Sequence, residues 1–297
     1  MQRQRWPPQA PPRRPDVYEL KPAELGQARP LFRALDHHLA VNAILEGTVP
    51  GTIYVDDRAF PHAAFTGFKH RCFLVGSPEN DAFNEALRLL LTGTLYPHLR
   101  AGPGMLALTV APESWEDKLN LILDKRPIKV LRQFYLFEKL KHDWRALLPE
   151  GFRLRLIDAA LLEERQLTDL TILEDELCSE RASVHEFLDK SFGVAALHGD
   201  ELAGWCTSEY NSGGRCGVGI GTLKPYRRRG LAAAMASALI EHALSRGVTH
   251  IGWHCFAGNE ASAATALKAG FEKVCDYASY LAWFDEAEAP TANGKER

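Results

Sequence analysis

The chain has 297 residues, of which 46% are hydrophobic and 25% are charged, and its net charge at pH 7 is −3. This length suits one large domain or two of ordinary size, and the composition is that of a soluble globular protein. The nearly balanced charge excludes a global field that attracts nucleic acid or a membrane, and no apolar run approaches the ~18 residues of a spanning helix.

Both ends of the chain predict disordered tails. Residues 1–15 are mostly Pro, Arg and Gln without the apolar region of a secretory signal, and residues 285–297 are acidic and then contain Pro and Gly. The six cysteines form no C-x-x-C pair, which favours reduced thiols. We therefore expect a cytoplasmic protein.

The first half predicts the order β-β-α-β-α-β. One helix is predicted from 81 to 99, with Asp81 as its N-cap and Gly102-Pro103-Gly104 as its stop. A second helix is predicted to begin at Ser114, with Asp117 completing a capping box. Strands are predicted at 51–57, within 63–76, at 105–110 and at 129–140.

Residues 141–152 predict a linker, and the second half then repeats a similar order of elements. Its strands are predicted at 152–157, 193–197, 201–210, 215–223, 248–256 and 271–283. Helical periodicity recurs between 161 and 187, and helices are predicted at 231–245 and 261–269, each followed by a glycine. The fold class is therefore α/β (α+β): two tandem units, 16–145 and 150–284, each a mixed, mostly antiparallel sheet flanked by helices.

The strand 215–223 carries alternating glycines on one face. Gly217, Gly219 and Gly221 point to one side of the sheet, and Cys216, Val218, Ile220 and Thr222 point to the other. Because such glycines destabilise a strand, a bare face indicates that something approaches it closely. A ligand and a tightly packed helix are both compatible with this pattern.

The loop after this strand has the composition of a pyrophosphate cradle. Three arginines, Arg227, Arg228 and Arg229, precede Gly230 and an alanine-rich helix. Backbone N–H groups of Gly230 to Ala233 would face phosphate oxygens at the helix start. An arginine-rich turn before an ordinary helix is the alternative. No Lys-Ser/Thr follows the glycine, so this is not a nucleoside-triphosphate P-loop.

The succession of motifs from residue 193 to 284 resembles the GNAT superfamily of N-acetyltransferases, specifically a bacterial branch with an extra N-terminal domain. The resemblance rests on Gly-Ile-Gly-Thr222, Tyr-Arg-Arg-Arg-Gly-Leu-Ala232, Trp253-x-Cys255, Asn259-x-x-Ser262 and Gly270-Phe271. The N-terminal half matches only loosely, and because it lacks a glycine-arginine cradle we expect a degenerate unit there. The resemblance implies acetyl-coenzyme A, or a related acyl thioester, as the acyl donor. We expect no metal.

The resemblance also implies where the cofactor binds. The strands before and after the cradle would splay apart, so that the pantetheine arm pairs with backbone near Ile220 and Thr222. The pyrophosphate would lie on Arg227, Arg228, Arg229, Gly230, Leu231, Ala232 and Ala233. Asn259 and Ser262 would face the pantetheine or the thioester, and Asn259 is also a candidate N-cap for the helix that follows.

Two catalytic positions depart from the family pattern. Members often carry a glutamate base where this chain has Gly217, and many carry a tyrosine acid where it has Ala266. Glu209 and His254 are the candidate bases, with Tyr277, Tyr280 or an ordered water as alternatives. A four-residue loop at 211–214 would pair Glu209 with Cys216, on the face opposite Gly217.

Direct attack on a thioester needs no covalent enzyme intermediate, so Cys216 and Cys255 are expected to be structural. The acidic run Glu174-Asp175-Glu176 and Glu180 would attract a cationic amine, or would be a solvated helix face. The sequence therefore predicts an N-acetyltransferase acting on a small-molecule primary amine, with neither nucleic acid nor a membrane as partner. A non-catalytic acyl-coenzyme A sensor is the alternative. The oligomeric state is not predicted.

Overall fold

The structure is a computed structural model that describes residues 17–100, 104–179 and 181–284. The two predicted tails lie outside these described residues, as do Gly102-Pro103 and Glu180.

The described residues form twelve strands and eleven α-helices, joined by short 3₁₀ segments. The strands are β1 Tyr18–Glu19, β2 Thr52–Val55, β3 Ala63–Phe68, β4 Arg71–Gly76, β5 Met105–Ala111, β6 Ile128–Phe137, β7 Phe152–Leu156, β8 Gly193–His198, β9 Glu201–Ser212, β10 Arg215–Thr222, β11 His250–Phe256 and β12 Phe271–Trp283. The helices are α1 Leu25–Ala28, α2 Leu39–Leu45, α3 Asp81–Leu90, α4 Tyr96–Arg100, α5 Leu119–Leu123, α6 Trp144–Leu147, α7 Ala159–Leu162, α8 Leu170–Leu177, α9 Val184–Lys190, α10 Leu231–Ser245 and α11 Glu260–Ala269. A π-helical turn, Leu91–Leu95, joins α3 to α4.

All twelve strands belong to one sheet, in the order β1-β2-β3-β4-β5-β12-β6-β11-β10-β9-β8-β7. This order is a palindrome if each strand of the first half is matched to its counterpart in the second. The parallel pair β4–β5 then corresponds to the parallel pair β10–β11, and the other nine of the eleven neighbouring strand pairs are antiparallel. The predicted fold class, a mixed and mostly antiparallel sheet in each of two related units, is confirmed.

The two halves exchange their last strands. β6, from the first half, pairs with β11, and β12, from the second half, pairs with β5; β6 and β12 also pair with each other. The division of the chain into two units near residue 145 stays a prediction. In the sheet itself, each half is completed by a strand of the other.

Helices cover both faces of this sheet and follow the same symmetry. On one face, α3, α4 and α5 bury their apolar sides on β3–β5, and α10 and α11 do so on β8–β11. On the other face, α1 and α2 cover β2–β4, and α7 to α9 cover β8 and β9. Helix α10 is alanine-rich, and ten of its fifteen residues are buried, so its backbone lies close to the sheet.

The sheet is strongly curved. Arg71 on β4 and Glu209 on β9 are six strand positions apart, which would be about 29 Å along a flat sheet. Their side chains nevertheless meet, with Nη1 of Arg71 3.3 Å from Oε2 of Glu209. The concave face therefore brings residues of both halves into one space.

Two local predictions about element ends are wrong. The N-cap of α3 is Asn80, whose side chain accepts a hydrogen bond from the N–H of Phe83, rather than Asp81. The predicted Ser114 capping box is absent: a 3₁₀ turn, Glu113–Lys118, precedes α5, and Pro112 stands at its N-cap position without a side-chain bond. In the first case the neighbouring Asn80 reaches a free N–H group of the first turn in place of Asp81. In the second case no side chain caps the turn.

The predicted linker 141–152 contains helix α6, which packs on α10. Asp143 caps α6, and Arg145 forms an ion pair with Glu241 of α10. Trp144 also packs against the core under α10. The segment is therefore fixed to the second half by both apolar and charged contacts.

No helix of the described residues is long and apolar enough to cross a membrane. The same residues contain no group of three or more His, Cys, Asp or Glu side chains arranged to hold a metal ion. The expectation that no metal takes part remains a prediction.

Candidate active site

β10 and β11 begin as a parallel pair and then separate. They are paired only where Arg215–Gly217 faces His250–Gly252. Beyond that point β10 continues to Thr222 with β9 as its partner, and β11 continues to Phe256 with β6 as its partner. The edges that β10 and β11 turn to each other therefore leave backbone groups available over these stretches of the described structure.

The corresponding pair in the first half does not separate in this way. β4 and β5 stay paired over Arg71–Val75 and Ala107–Ala111. The loop after β4 is further closed by Trp115, whose Nε1 donates to the carbonyl of Gly76 over 3.0 Å. This geometry agrees with a degenerate first unit, whose lack of a ligand site stays a prediction.

The predicted cradle has the geometry of an open helix N-terminus. Gly230 is the N-cap of α10 with φ of 82°, a left-handed conformation that favours glycine, and no side chain caps this end. The first-turn N–H groups of Leu231, Ala232 and Ala233 lack intrahelical acceptors by their position in the helix. A Cβ added to Gly230 would meet nothing within 4 Å, so the space above the loop is open.

The three arginines of the cradle are all exposed, and two of them are positioned by local contacts. Arg227 donates from Nε to the carbonyl of Thr222 over 3.0 Å, which ties the loop to the end of β10. The guanidinium of Arg229 lies over the ring of Tyr226, 5.7 Å from its centroid. Positive charge therefore surrounds the N-terminus of α10, where the helix dipole also favours an anion.

Asn259 and Ser262 lie where β11 leads into α11. Asn259 is the N-cap of α11, accepting a hydrogen bond at 3.0 Å from the N–H of Ser262, as the sequence indicated. The hydroxyl oxygen of Ser262 accepts a hydrogen bond at 3.0 Å from Nε1 of Trp253. Both residues line the same cavity as Ile220.

This cavity, of about 330 Å³, opens between the separating strands and extends under the concave face of the sheet. Its walls come from both halves of the chain, since β4, β5 and β6 contribute as well as β9 to β12. The charged and titratable side chains that line this cavity include Arg71, Arg132, Glu176, Glu209, His254 and Tyr277.

The register of β9 and β10 differs from the prediction, and the difference moves Glu209. The hairpin turns on only two residues, Gly213 and Gly214, both with positive φ. A bulge follows, so that Glu209 pairs with Gly217 and not with Cys216. Because residues paired across antiparallel strands share a face, the side chain of Glu209 lies on the side of the sheet that Gly217 leaves bare.

The bulge has identifiable supports. Tyr210 takes a left-handed conformation with φ of 52°, and Tyr210 and Asn211 together face Cys216. Glu46 at the end of α2 accepts hydrogen bonds from Ser212 and Arg215 on the two sides of the turn. Contacts with the first half thus stabilise a register that the hairpin sequence alone did not indicate.

Side chains of β9 occupy the glycine face of β10. A Cβ added to Gly219 would overlap Oε1 of Glu209 and lie 2.8 Å from Oγ1 of Thr207, while one added to Gly221 would overlap the indole of Trp205. A Cβ at Gly217 would lie at an ordinary 3.5 Å from Cβ of Glu209. Gly219 and Gly221 therefore make room for long side chains of the neighbouring strand. Gly217 has no such close contact, and Gly217 and Gly219 also line the cavity, so a ligand, one of the two alternatives considered from the sequence, stays a prediction.

His254 is buried, and both of its ring nitrogens have partners. Nε2 lies 3.2 Å from the carbonyl oxygen of His37, so it must carry the proton and donate. Nδ1, 3.0 Å from the hydroxyl of Tyr277, therefore accepts. Burial, then the charges of Arg132, His37 and Arg71, lower the pKa of His254 well below its usual value. The lone pair of Nδ1, which His254 would need in order to act as a base, is therefore occupied by the hydrogen bond from Tyr277.

The two tyrosines considered as alternative catalytic groups lie on opposite faces of the sheet. Tyr277 lines the cavity, whereas Tyr280 is buried on the other face of the sheet, among the residues under α3 to α5. Burial raises the pKa of the Cys216 thiol to about 12 and also raises that of Cys255, which agrees with structural roles. All six cysteines are free thiols.

The acidic run of α8 contributes one side chain to the site. Glu176 lines the cavity, whereas Asp175 is exposed to solvent. Burial, then the nearby charge of Glu209, raises the pKa of Glu176. The sequence did not indicate Arg71 or Arg132, because each stands alone in a strand of the first half and only the sheet's curvature and strand exchange bring it here.

The chain as a whole matches a known family. A sequence model described as GNAT acetyltransferase matches residues 29–280. YdfB of Bacillus subtilis, an uncharacterized N-acetyltransferase, is 28% identical over 241 residues, which are 81% of this chain and 88% of that protein.

Solved structures agree with the arrangement. A GCN5-related N-acetyltransferase-like protein of Streptococcus suis has a TM-score of 0.66 at 25% identity, over 88% of this chain and 98% of that one. A tandem GNAT protein from the clavulanic acid biosynthesis pathway has a TM-score of 0.56 at 14% identity, over 90% of this chain and 98% of that one, and supports the fold alone.

The separating strands, the glycine-arginine loop and the repeated sheet define an acetyltransferase of the GCN5-related type. The chain belongs to the GNAT acetyltransferase family. Membership indicates acetyl transfer and implies acetyl-coenzyme A as co-substrate, as the motif resemblance did.

Proposed function

We propose that the protein transfers the acetyl group of acetyl-coenzyme A to the primary amine of a small molecule by direct attack, with Glu209 as the general base. The observation that carries this proposal is the carboxylate of Glu209 beside Gly217 and Gly219, next to the point where β10 and β11 separate. The carboxylate that relatives carry on the strand itself is supplied here from the adjacent strand.

The residues along the opening fit the cofactor. The unpaired edge of β10 near Ile220 and Thr222 would hydrogen-bond the amides of the pantetheine arm, in the manner of an added strand. The exposed Arg227, Arg228 and Arg229, with the N–H groups from Gly230 to Ala233, would hold the pyrophosphate. Asn259 and Ser262 would stand beside the arm at the other wall. When bound, acetyl-coenzyme A supplies an acetyl group activated as a thioester.

Glu209 suits the removal of a proton from the attacking amine. Its side chain is 13% exposed and is held by Nη1 of Arg71 at 3.3 Å. The amine nitrogen would form a bond to the acetyl carbonyl carbon while Glu209 takes its proton, directly or through one water. The carbon–sulfur bond would then break, and the sulfur would leave as a thiolate that takes a proton from solvent.

Backbone N–H groups near Val218 would stabilise the charge that develops on the carbonyl oxygen. The edge of β10 that faces β11 is unpaired from this residue onward in the described structure. A fixed donor at such a position stabilises a developing oxyanion without reorganisation. His254 holds Tyr277 through its Nδ1 and would thereby act as a positioning residue.

Two measurements test the proposal. Calorimetry with acetyl-coenzyme A should show binding, and its absence at ~1 mM would remove the cofactor assignment. Release of free thiol across a panel of small amines should then show turnover. Tight binding without turnover of any amine would instead favour a non-catalytic acyl-coenzyme A sensor. The balanced charge of the chain supports a small molecule, rather than nucleic acid or a membrane, as the partner.

A further inference from the structure

The acceptor end of the cavity has two electrically distinct sides. Glu209 and Glu176 lie toward β9 and α8, and Arg132 lies toward β6, with Arg71 reaching across to Glu209. Burial, then the charges of neighbouring histidines and arginines, lower the pKa of both His38 and His254, which also line the cavity. These two histidines therefore add no positive charge to the carboxylate side at neutral pH.

The carboxylate side is already suited to an amine. Arg71 balances one negative charge through its ion pair with Glu209. Glu176 lies near enough to Glu209 for that charge to raise its pKa, after the larger effect of burial. A cationic or partly protonated amine placed between the two carboxylates would relieve this repulsion.

Arg132 is the charge in the cavity that lacks an anion. No carboxylate of the described residues forms an ion pair with it, and its Nε is buried without a hydrogen-bond partner. The guanidinium is fixed by stacking, with Cζ 4.6 Å from the centroid of the Phe256 ring. A rigid, half-buried guanidinium with an unused donor is the usual recognition group for a carboxylate or a phosphoryl oxygen pair.

We propose that the acceptor is a small zwitterion, with its amine at Glu209 and Glu176 and an anionic group, a carboxylate or a phosphonate, at Arg132. This inference rests on the proposed acetyl transfer and specifies its substrate class. Because the thioester end of the cofactor would share this cavity of about 330 Å³, we expect a compound of amino-acid size. The first half of the chain thus supplies the anion site and the second half the base.

Matched acceptors test this directly. Thiol release should be measured for a set of amino acids, their carboxamides, the corresponding amines without an anionic group, and aminoalkylphosphonates. We expect the carboxylate or the phosphonate series to exceed its uncharged counterparts about 100-fold in kcat/KM, since an unpaired buried donor strongly disfavours the analogue. The better of the two series identifies the anionic group.

Variants of Arg132 separate recognition from folding. R132Q should reduce the preference for the anionic acceptor to about threefold, whereas R132K should keep part of it. Arg126→Gln, at an exposed arginine in the turn before β6, is the matched control and should keep the full preference. Thermal unfolding of each variant shows that the protein is folded, and calorimetry with acetyl-coenzyme A measures cofactor binding separately.

Three results would overturn the inference. Uncharged amines that react as well as zwitterions would show that no anion is recognised. A more than tenfold loss of acetyl-coenzyme A affinity in R132Q would assign Arg132 to the cofactor. If the protein binds acetyl-coenzyme A but acetylates no amine, the proposed acetyl transfer itself is refuted. This result is distinguishable from a lack of anion recognition, because in that case uncharged amines still react.

Discussion

Glu209 and Gly217 face each other across the hairpin of β9 and β10, and the carboxylate of Glu209 reaches over the next glycine of the strand, Gly219. The bulge at Tyr210 and Asn211 sets this pairing. A single residue of register would place the carboxylate in the core under α10 instead. Under the proposed mechanism, β9 supplies the carboxylate that β10 itself lacks at Gly217.

Replacement of Glu209 tests the relocated base. E209Q keeps the size of the side chain and removes its capacity to accept a proton, so kcat should fall by about 10²–10³ while acetyl-coenzyme A still binds. Steady-state thiol release and calorimetry measure the two effects. Glu150→Gln, at an exposed carboxylate before β7, is the matched control. An E209Q enzyme with more than half of the wild-type kcat would rule out this role.

The glycines of β10 provide a second, steric test. Gly219→Ala should displace the carboxylate of Glu209, because the new Cβ would overlap its Oε1, and we expect at least a tenfold fall in kcat. Gly217→Ala should have a much smaller effect, since its Cβ would lie 3.5 Å from Cβ of Glu209. Equal effects of the two substitutions on kcat would contradict the described position of the carboxylate.

The cradle can be tested by charge at one position. Gly230 has φ of 82°, which Asn and Asp tolerate better than other side chains. Gly230→Asp should therefore fold but weaken acetyl-coenzyme A binding at least tenfold more than Gly230→Asn, because only Asp brings negative charge to the phosphate site. Dissociation constants from calorimetry decide this, and indistinguishable values for the pair would place the pyrophosphate elsewhere.

The buried His254 predicts a pH dependence of stability. Its pKa is lowered in the folded state, so between that value and the unfolded value of about 6.5 the unfolded chain binds more protons. Stability from this group is full above pH 6.5 and decreases as the pH falls below it. H254N should remove up to about 1.4 kcal/mol per pH unit from the slope of unfolding free energy in that range.

Urea unfolding at several pH values between 5 and 7.5 measures this slope. His142→Asn, at an exposed histidine in the segment before α6, is the control and should leave the slope as in the wild type. If H254N and the wild type lose stability in parallel on acidification, His254 does not stay neutral in the folded protein.

Much of the fold was predictable because its signals are local. The period of α10 and the glycines that end α10 and α11 depend on residues a few positions apart, and both helices form where predicted. The cap at Asn259 belongs to the same class. The N-cap of α3 was predicted wrongly because the adjacent Asn80 competes with Asp81 for the same free N–H groups. The start of α5 was predicted wrongly because a 3₁₀ turn without a side-chain cap precedes the helix.

By itself, the sequence determined the family, the two related units and the glycine-arginine loop that would hold the cofactor. Only the tertiary structure decided the exchange of β6 and β12, the register that brings Glu209 to Gly217, and the meeting of Arg71 and Arg132 with the site. The reason is physical: helix period and turn chemistry are set by near neighbours, whereas register and strand order are set by packing between segments that are distant in the chain.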